Sequence, residues 1–71
     1  MSLGAKLKQL RLNKNWSQSD AAYQLDISQP AYNKWETDQS KSSIDKLGKI
    51  AEVFEIDIYG LLENTITINF K

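Results

Sequence analysis

The chain has 71 residues, nine basic and nine acidic, with no cysteine and no histidine, so it is one small domain whose single core is marginal unless helices pack tightly or chains associate. Without Cys or His it lacks disulfides, thiolate and imidazole metal ligands, and the usual nucleophile and general base of small hydrolases. The zero net charge hides an asymmetry: residues 1–35 carry five basic and two acidic side chains, and residues 36–71 carry four and seven, a separation that can mark a nucleic-acid face.

In chain order, Leu3, Leu7 and Leu10 recur at helical spacing with Lys6, Lys8, Gln9 and Arg11 among them, which predicts an amphipathic helix over residues 3–13. Ser17 then offers a capping oxygen, with Asp20 three places on and Trp16 placed as a hydrophobic staple. The second helix, over 18–25, turns Ala21, Ala22 and Leu25 inward, and its small residues admit a close neighbour. Asp26-Ile27 separates it from Ser28, the N-cap of a third helix whose first turn tolerates Pro30 because an N–H there has no intrahelical partner.

After TDQSKS, Ser42 or Ser43 caps a fourth helix with the stripe Ile44, Leu47, Ile50, Ala51 and Phe54. Gly48 inside it costs about 1 kcal/mol relative to Ala, which predicts the close approach of a neighbouring helix or another chain. Asp57 caps a short fifth helix containing Ile58, Leu61 and Leu62. The tail TITINFK changes period: Ile66, Ile68 and Phe70 alternate with polar residues, as in a half-buried strand. A lone strand has no ladder, so these three residues are expected to pair with another copy, pair with a segment outside this chain, or stay loose. The expected fold is all-α, a five-helix bundle over 1–62, with a short extended tail over 63–71.

Two short helices joined by a tight turn form a weak pattern by themselves. Here they are joined by SQSDAAYQLDISQPAYNKWE and SIDKLGKIAEVFEIDIYGLL, and residues 4–62 together resemble the Cro and phage-repressor (XRE-type) helix-turn-helix family. Ser17-Gln18, Ala22, Trp35-Glu36 and the run from Leu47 to Phe54 carry the resemblance. It implies a lambda-repressor-like bundle that binds double-stranded DNA as a homodimer, a transcriptional regulator of repressor type. Three positions depart from the family: Asp26 stands where the turn usually has Gly, Asp38 replaces the Gly that follows the closing Glu, and Ser43 replaces the Pro after it. A left-handed backbone is more tolerable for Asp than for most residues, while the Asp38 charge weakens the usual approach of that loop to phosphate and leaves Lys41 as the anchor.

Within this frame Gln18, at a helix N-terminus, suits phosphate, and Ser17, Ala31 and Lys41 join it on the phosphate side. Gln29 has the paired donor and acceptor that fits adenine N6 and N7, and Lys34 can donate to guanine or to phosphate. Asn33 also points outward, and Pro30 and Ala31 offer apolar contact, for instance to a thymine methyl. Tyr32 and Trp35 share the opposite, core-facing side. Arg11 and Glu36 resemble the family's buried ion pair between the first and third helices.

A protein-interaction module on the same scaffold, with an antitoxin-like or antirepressor-like partner, is the competing reading, which zero net charge and Asp38 favour. The carboxylates are scattered and no glycine-rich phosphate cradle exists, so no catalytic residue, metal or cofactor is expected. No apolar run approaches the roughly 18 residues that cross a bilayer, and the basic start is periodic rather than a signal-peptide core, which predicts a cytoplasmic protein without a membrane partner.

Overall fold

The computed structural model describes residues 2–62, which form α1 (Leu3–Asn13), α2 (Gln18–Leu25), α3 (Gln29–Glu36), α4 (Ile44–Val53) and α5 (Ile58–Leu62). The side chain of Leu62 and the alternating tail with Ile66, Ile68 and Phe70 lie outside the described residues. Each helix starts where a short polar side chain satisfies a backbone N–H that the helix cannot. Ser2 accepts from Ala5, Ser28 from Ala31 and Ser43 from Lys46, at 3.1, 3.2 and 3.1 Å. Ser17 and Asp20 close a reciprocal capping box, and Asp57 accepts from the Tyr59 N–H at 2.8 Å.

The first four helices end alike. In each, the residue after the C-terminal turn swings into the left-handed region and its N–H bonds back, while the next residue's N–H reaches five positions back, the Schellman arrangement. The pairs are Asn15→Leu12 with Trp16→Arg11, Asp26→Tyr23 with Ile27→Ala22, Asp38→Trp35 with Gln39→Lys34, and Glu55→Glu52 with Ile56→Ala51. None of the four left-handed residues, Asn15, Asp26, Asp38 and Glu55, is glycine, and their φ values lie between 56° and 61°. Asp26 thus takes the conformation expected of the family's glycine, and three of the residues that follow these corners, Trp16, Ile27 and Ile56, drop onto the core.

That core consists of Leu7, Ala21, Ala22, Leu25, Tyr32, Leu47, Ile50, Phe54 and Leu61, contributed by all five helices and the C-cap of α4. The Trp16 ring packs on Phe54 with centroids 5.4 Å apart. Two expectations about α4 are corrected. Ile44 is 76% exposed, because it opens the helix one turn before Leu47, where the covered stripe begins. Gly48 faces open space, with nothing within 4 Å of an added Cβ, so no neighbour within the described residues accounts for it. The glycine that does admit a neighbour is Gly4: a Cβ there would sit 2.3 Å from the Glu36 carbonyl oxygen and 2.8 Å from that of Trp35. This lack of a side chain lets the start of α1 lie directly on the end of α3.

Candidate nucleic-acid interface

α2, a three-residue turn and α3 form a helix-turn-helix whose second helix is two-faced. Tyr32 is fully buried and Trp35 half-buried, whereas Gln29, Pro30, Asn33 and Lys34 are exposed. Gln18, at the start of α2, meets Gln29, Pro30 and Asn33 around one shallow open concavity. One expected phosphate-side residue and three expected base-side residues therefore share a surface. Ser17 and Lys41 are also exposed, and Ala31 is half-buried with its N–H already committed to the Ser28 cap.

Directly beneath this surface lies a carboxylate saturated with donors. Arg11 Nε reaches Glu36 Oε2 at 2.6 Å, and Tyr32 Oη donates to the same oxygen. Gln18 Nε2 donates to Glu36 Oε1 at 3.0 Å, with Arg11 Nη2 at 3.4 Å from it. Arg11 Nη1 donates to the Trp16 carbonyl at 2.9 Å, and the two charged side chains are only 10% and 4% exposed. Burial by itself pushes the Glu36 carboxyl up, but hydrogen bonds from Arg11, Tyr32 and Gln18 outweigh it and hold the group below the usual glutamate value. Tyr32 is raised far above an ordinary phenol, first by burial and then by its bond to the anionic Glu36. The hydrogen bond to Glu36 also raises Arg11.

The chain of bonds continues outward, because Asn33 Nδ2 donates to Gln18 Oε1 at 3.4 Å. Neither the inward bond of Gln18 nor the hydroxyl role of Tyr32 was read from the sequence. The spacing of Tyr32 and Glu36, one helical turn apart on α3, was the available signal.

A second polar cluster fixes the loop after α3. The Asp38 carboxylate takes a hydrogen bond from Ser2 and, at 2.9 Å, the Gly4 N–H at the positive end of α1. These bonds, Ser2 first, hold its pKa below the ordinary aspartate value. The charge that seemed to oppose phosphate is thus bonded within the fold, across 34 residues of sequence. Nearby, the Lys46 ammonium lies 4.9 Å from the centre of the Trp35 ring, a cation–π contact, and desolvation lowers its pKa.

Among the described residues, no group of three or more acidic, His or Cys side chains is gathered as metal ligands would be, and no helix is long and apolar enough to cross a membrane. A helix-turn-helix family model matches residues 7–61. The chain is also 37% identical over 70 residues to the HTH-type transcriptional activator BcrR of Enterococcus faecalis, an alignment that covers 96% of this chain and 34% of that protein. The chain therefore spans about a third of the length of this relative. The two-faced α3, the turn at Asp26, the Arg11–Glu36 pair and the match over residues 7–61 make this chain a member of the XRE-type helix-turn-helix family of DNA-binding transcription regulators.

Proposed function

We propose that the chain is a sequence-specific, cytoplasmic regulator of transcription that lays α3 in the major groove of double-stranded DNA and acts as a dimer. The observation that carries the reading is the division of α3: Tyr32 is anchored at 0% exposure while Gln29, Asn33 and Lys34 are exposed, the first two around the same concavity as Gln18. A helix held by one flank presents its other flank with little ordering cost, and these amide and ammonium groups match base edges and phosphates. A single domain of this size makes few base contacts. Two copies with their third helices about 34 Å apart would double them on one side of the duplex, with residues 63–71 as the pairing segment. Occupying a promoter is enough for repression, the outcome proposed here, whereas activation would add a contact with the transcription machinery.

The test is a fluorescence-anisotropy titration of labelled duplex at several salt concentrations, with selection of bound sequences from a random duplex pool. Phosphate-driven binding gives an affinity that falls steeply with salt. Gln29→Ala should change the preferred base at one position per half-site, and Gln18→Ala should lower the affinity of every site through the lost phosphate contact. A measurable complex with a flat salt response, or an unchanged motif in Gln29→Ala, would refute the assignment.

A further inference from the structure

An exposed asparagine ordinarily presents either end of its amide, donor or acceptor, to suit its partner. In this chain a buried group decides. Ionised Glu36 only accepts hydrogen bonds, and Arg11 Nε and Tyr32 Oη hold its Oε2, so that Oε1 faces Gln18. Gln18 must therefore turn its Nε2 inward, since an amide oxygen there would oppose a carboxylate oxygen. Its Oε1 is then left to accept from Asn33 Nδ2 at 3.4 Å. Asn33 keeps its nitrogen toward Gln18, and its Oδ1 has no donor among the described residues.

We propose that Glu36, acting through Gln18, sets the hydrogen-bonding polarity of the reading face: it fixes the Asn33 amide with its oxygen toward the groove, so that Asn33 selects a base bearing an exocyclic amino group. Adenine N6 and cytosine N4 are such donors in the major groove, whereas guanine O6 and thymine O4 are acceptors. This rests on the reading of α3 as the groove helix. Glu36, Gln18 and Tyr32 are positioning residues; Asn33 alone of this chain of bonds touches the base.

The arrangement can be reversed by one atom. In Glu36→Gln, the two short donors Arg11 Nε and Tyr32 Oη still require an acceptor at the Oε2 place and outweigh the longer 3.4 Å contact of Arg11 Nη2 at Oε1, so the new amide nitrogen faces Gln18. Gln18 then turns over, Asn33 follows, and a donor is presented to the groove. Gln18→Leu cuts the chain of bonds without touching the Arg11–Glu36 pair and frees Asn33 to turn.

The experiment selects bound sequences from a random duplex pool with the native chain, Asn33→Ala, Glu36→Gln and Gln18→Leu, and then compares affinities for duplexes differing at the one base pair whose preference Asn33→Ala abolishes. The native chain should prefer adenine or cytosine there by roughly tenfold, at the low end of the 1–3 kcal/mol reported by a good base contact. Glu36→Gln should switch the preference to guanine or thymine, and Gln18→Leu should reduce it to near onefold, with the Gln29 position unchanged in both. Side-chain amide NMR of the free protein gives a readout without DNA: the Gln18 and Asn33 NH2 resonances should both shift in Glu36→Gln. If Glu36→Gln does not fold, Gln18→Leu decides.

A native preference for guanine or thymine at that position would overturn the proposal while leaving the DNA reading intact. So would a motif unaffected by Asn33→Ala, or an amino-base preference that survives Gln18→Leu. A native chain that selects no sequence at all would instead sink the groove-helix reading itself.

Discussion

Replacing Arg11 by Met tests the buried charge most sharply. Met has a similar reach and no charge, so Arg11→Met leaves Glu36, 4% exposed, with Tyr32 and Gln18 as its remaining donors. It also removes the donor to the Trp16 carbonyl. Stranding one partner of a buried pair costs about 3–5 kcal/mol. A domain of 71 residues has roughly 4–11 kcal/mol of stability in total, at about 0.05–0.15 kcal/mol per residue. Between about a quarter and all of the margin therefore goes, and at about 4–8 °C per kcal/mol the melting temperature falls by at least about 12 °C.

The pH dependence should also change sign. In the native chain Glu36 has a folded pKa below its unfolded value of about 4.3, so its stabilising contribution is present above that value and is lost as pH falls through the folded pKa. In Arg11→Met, burial is no longer outweighed and the folded pKa rises above the unfolded one. The variant should then gain stability as pH falls from 7 toward 5, where the native chain gains none from this group. Urea unfolding followed by tryptophan fluorescence at several pH values measures both effects. A loss below about 1 kcal/mol, the range of a solvated surface pair, or parallel pH profiles for the two proteins, would refute the reasoning. The double variant Arg11→Met/Glu36→Leu should recover much of the loss, since well-packed apolar replacements of a buried pair are often neutral or stabilising.

Gly4→Ala should destabilise by at least about 2 kcal/mol, toward the upper end of overpacking costs of roughly 1–3 kcal/mol, because the new methyl meets backbone atoms that cannot swing away; an unchanged thermal midpoint would contradict the close approach of α1 to α3. Gly48→Ala should stabilise by about 1 kcal/mol through helix propensity alone, and a lower denaturant midpoint would show that something covers that open face. Glu55→Gly should stabilise by about 0.5–1 kcal/mol, as relief of a left-handed cost near 1–2 kcal/mol is partly offset by the greater unfolded-chain entropy of glycine; a lower urea midpoint would contradict this.

The helix boundaries were legible because their signals are local. Ser17 with Asp20, Ser28 with Pro30 and the two apolar stripes state a start or a face within a few residues, and α1, α2 and α3 fall where these features predict. The exposed Gln29, Asn33 and Lys34 against buried Tyr32 followed from helical phase in the same way. What escaped the sequence depends on contacts between distant segments. Periodicity shows that Ile44 shares a stripe with Leu47 but not that the covering neighbours begin only at Leu47. Glycine as a spacer is real at Gly4, whereas at Gly48 no neighbour among the described residues needs one, and only the crossing of α1 over the end of α3 separates the two cases. Asp38 was read as a charge that weakens the loop's approach to phosphate, yet its partners Ser2 and Gly4 lie at the other end of the domain's chain.

Glu36 has one further consequence. Its two oxygens receive donors from α1, α2 and α3 at once, so none of these rods can slide without releasing a hydrogen bond from a charge that is only 4% exposed. On the proposed reading of α3 as the groove helix of a dimer, a reader clamped in this way adapts poorly to an imperfect groove. Operators with a misplaced half-site or an unfavourable local twist would have to accommodate the protein by bending themselves, and stiff spacer sequences would then be discriminated against at base pairs that no side chain touches.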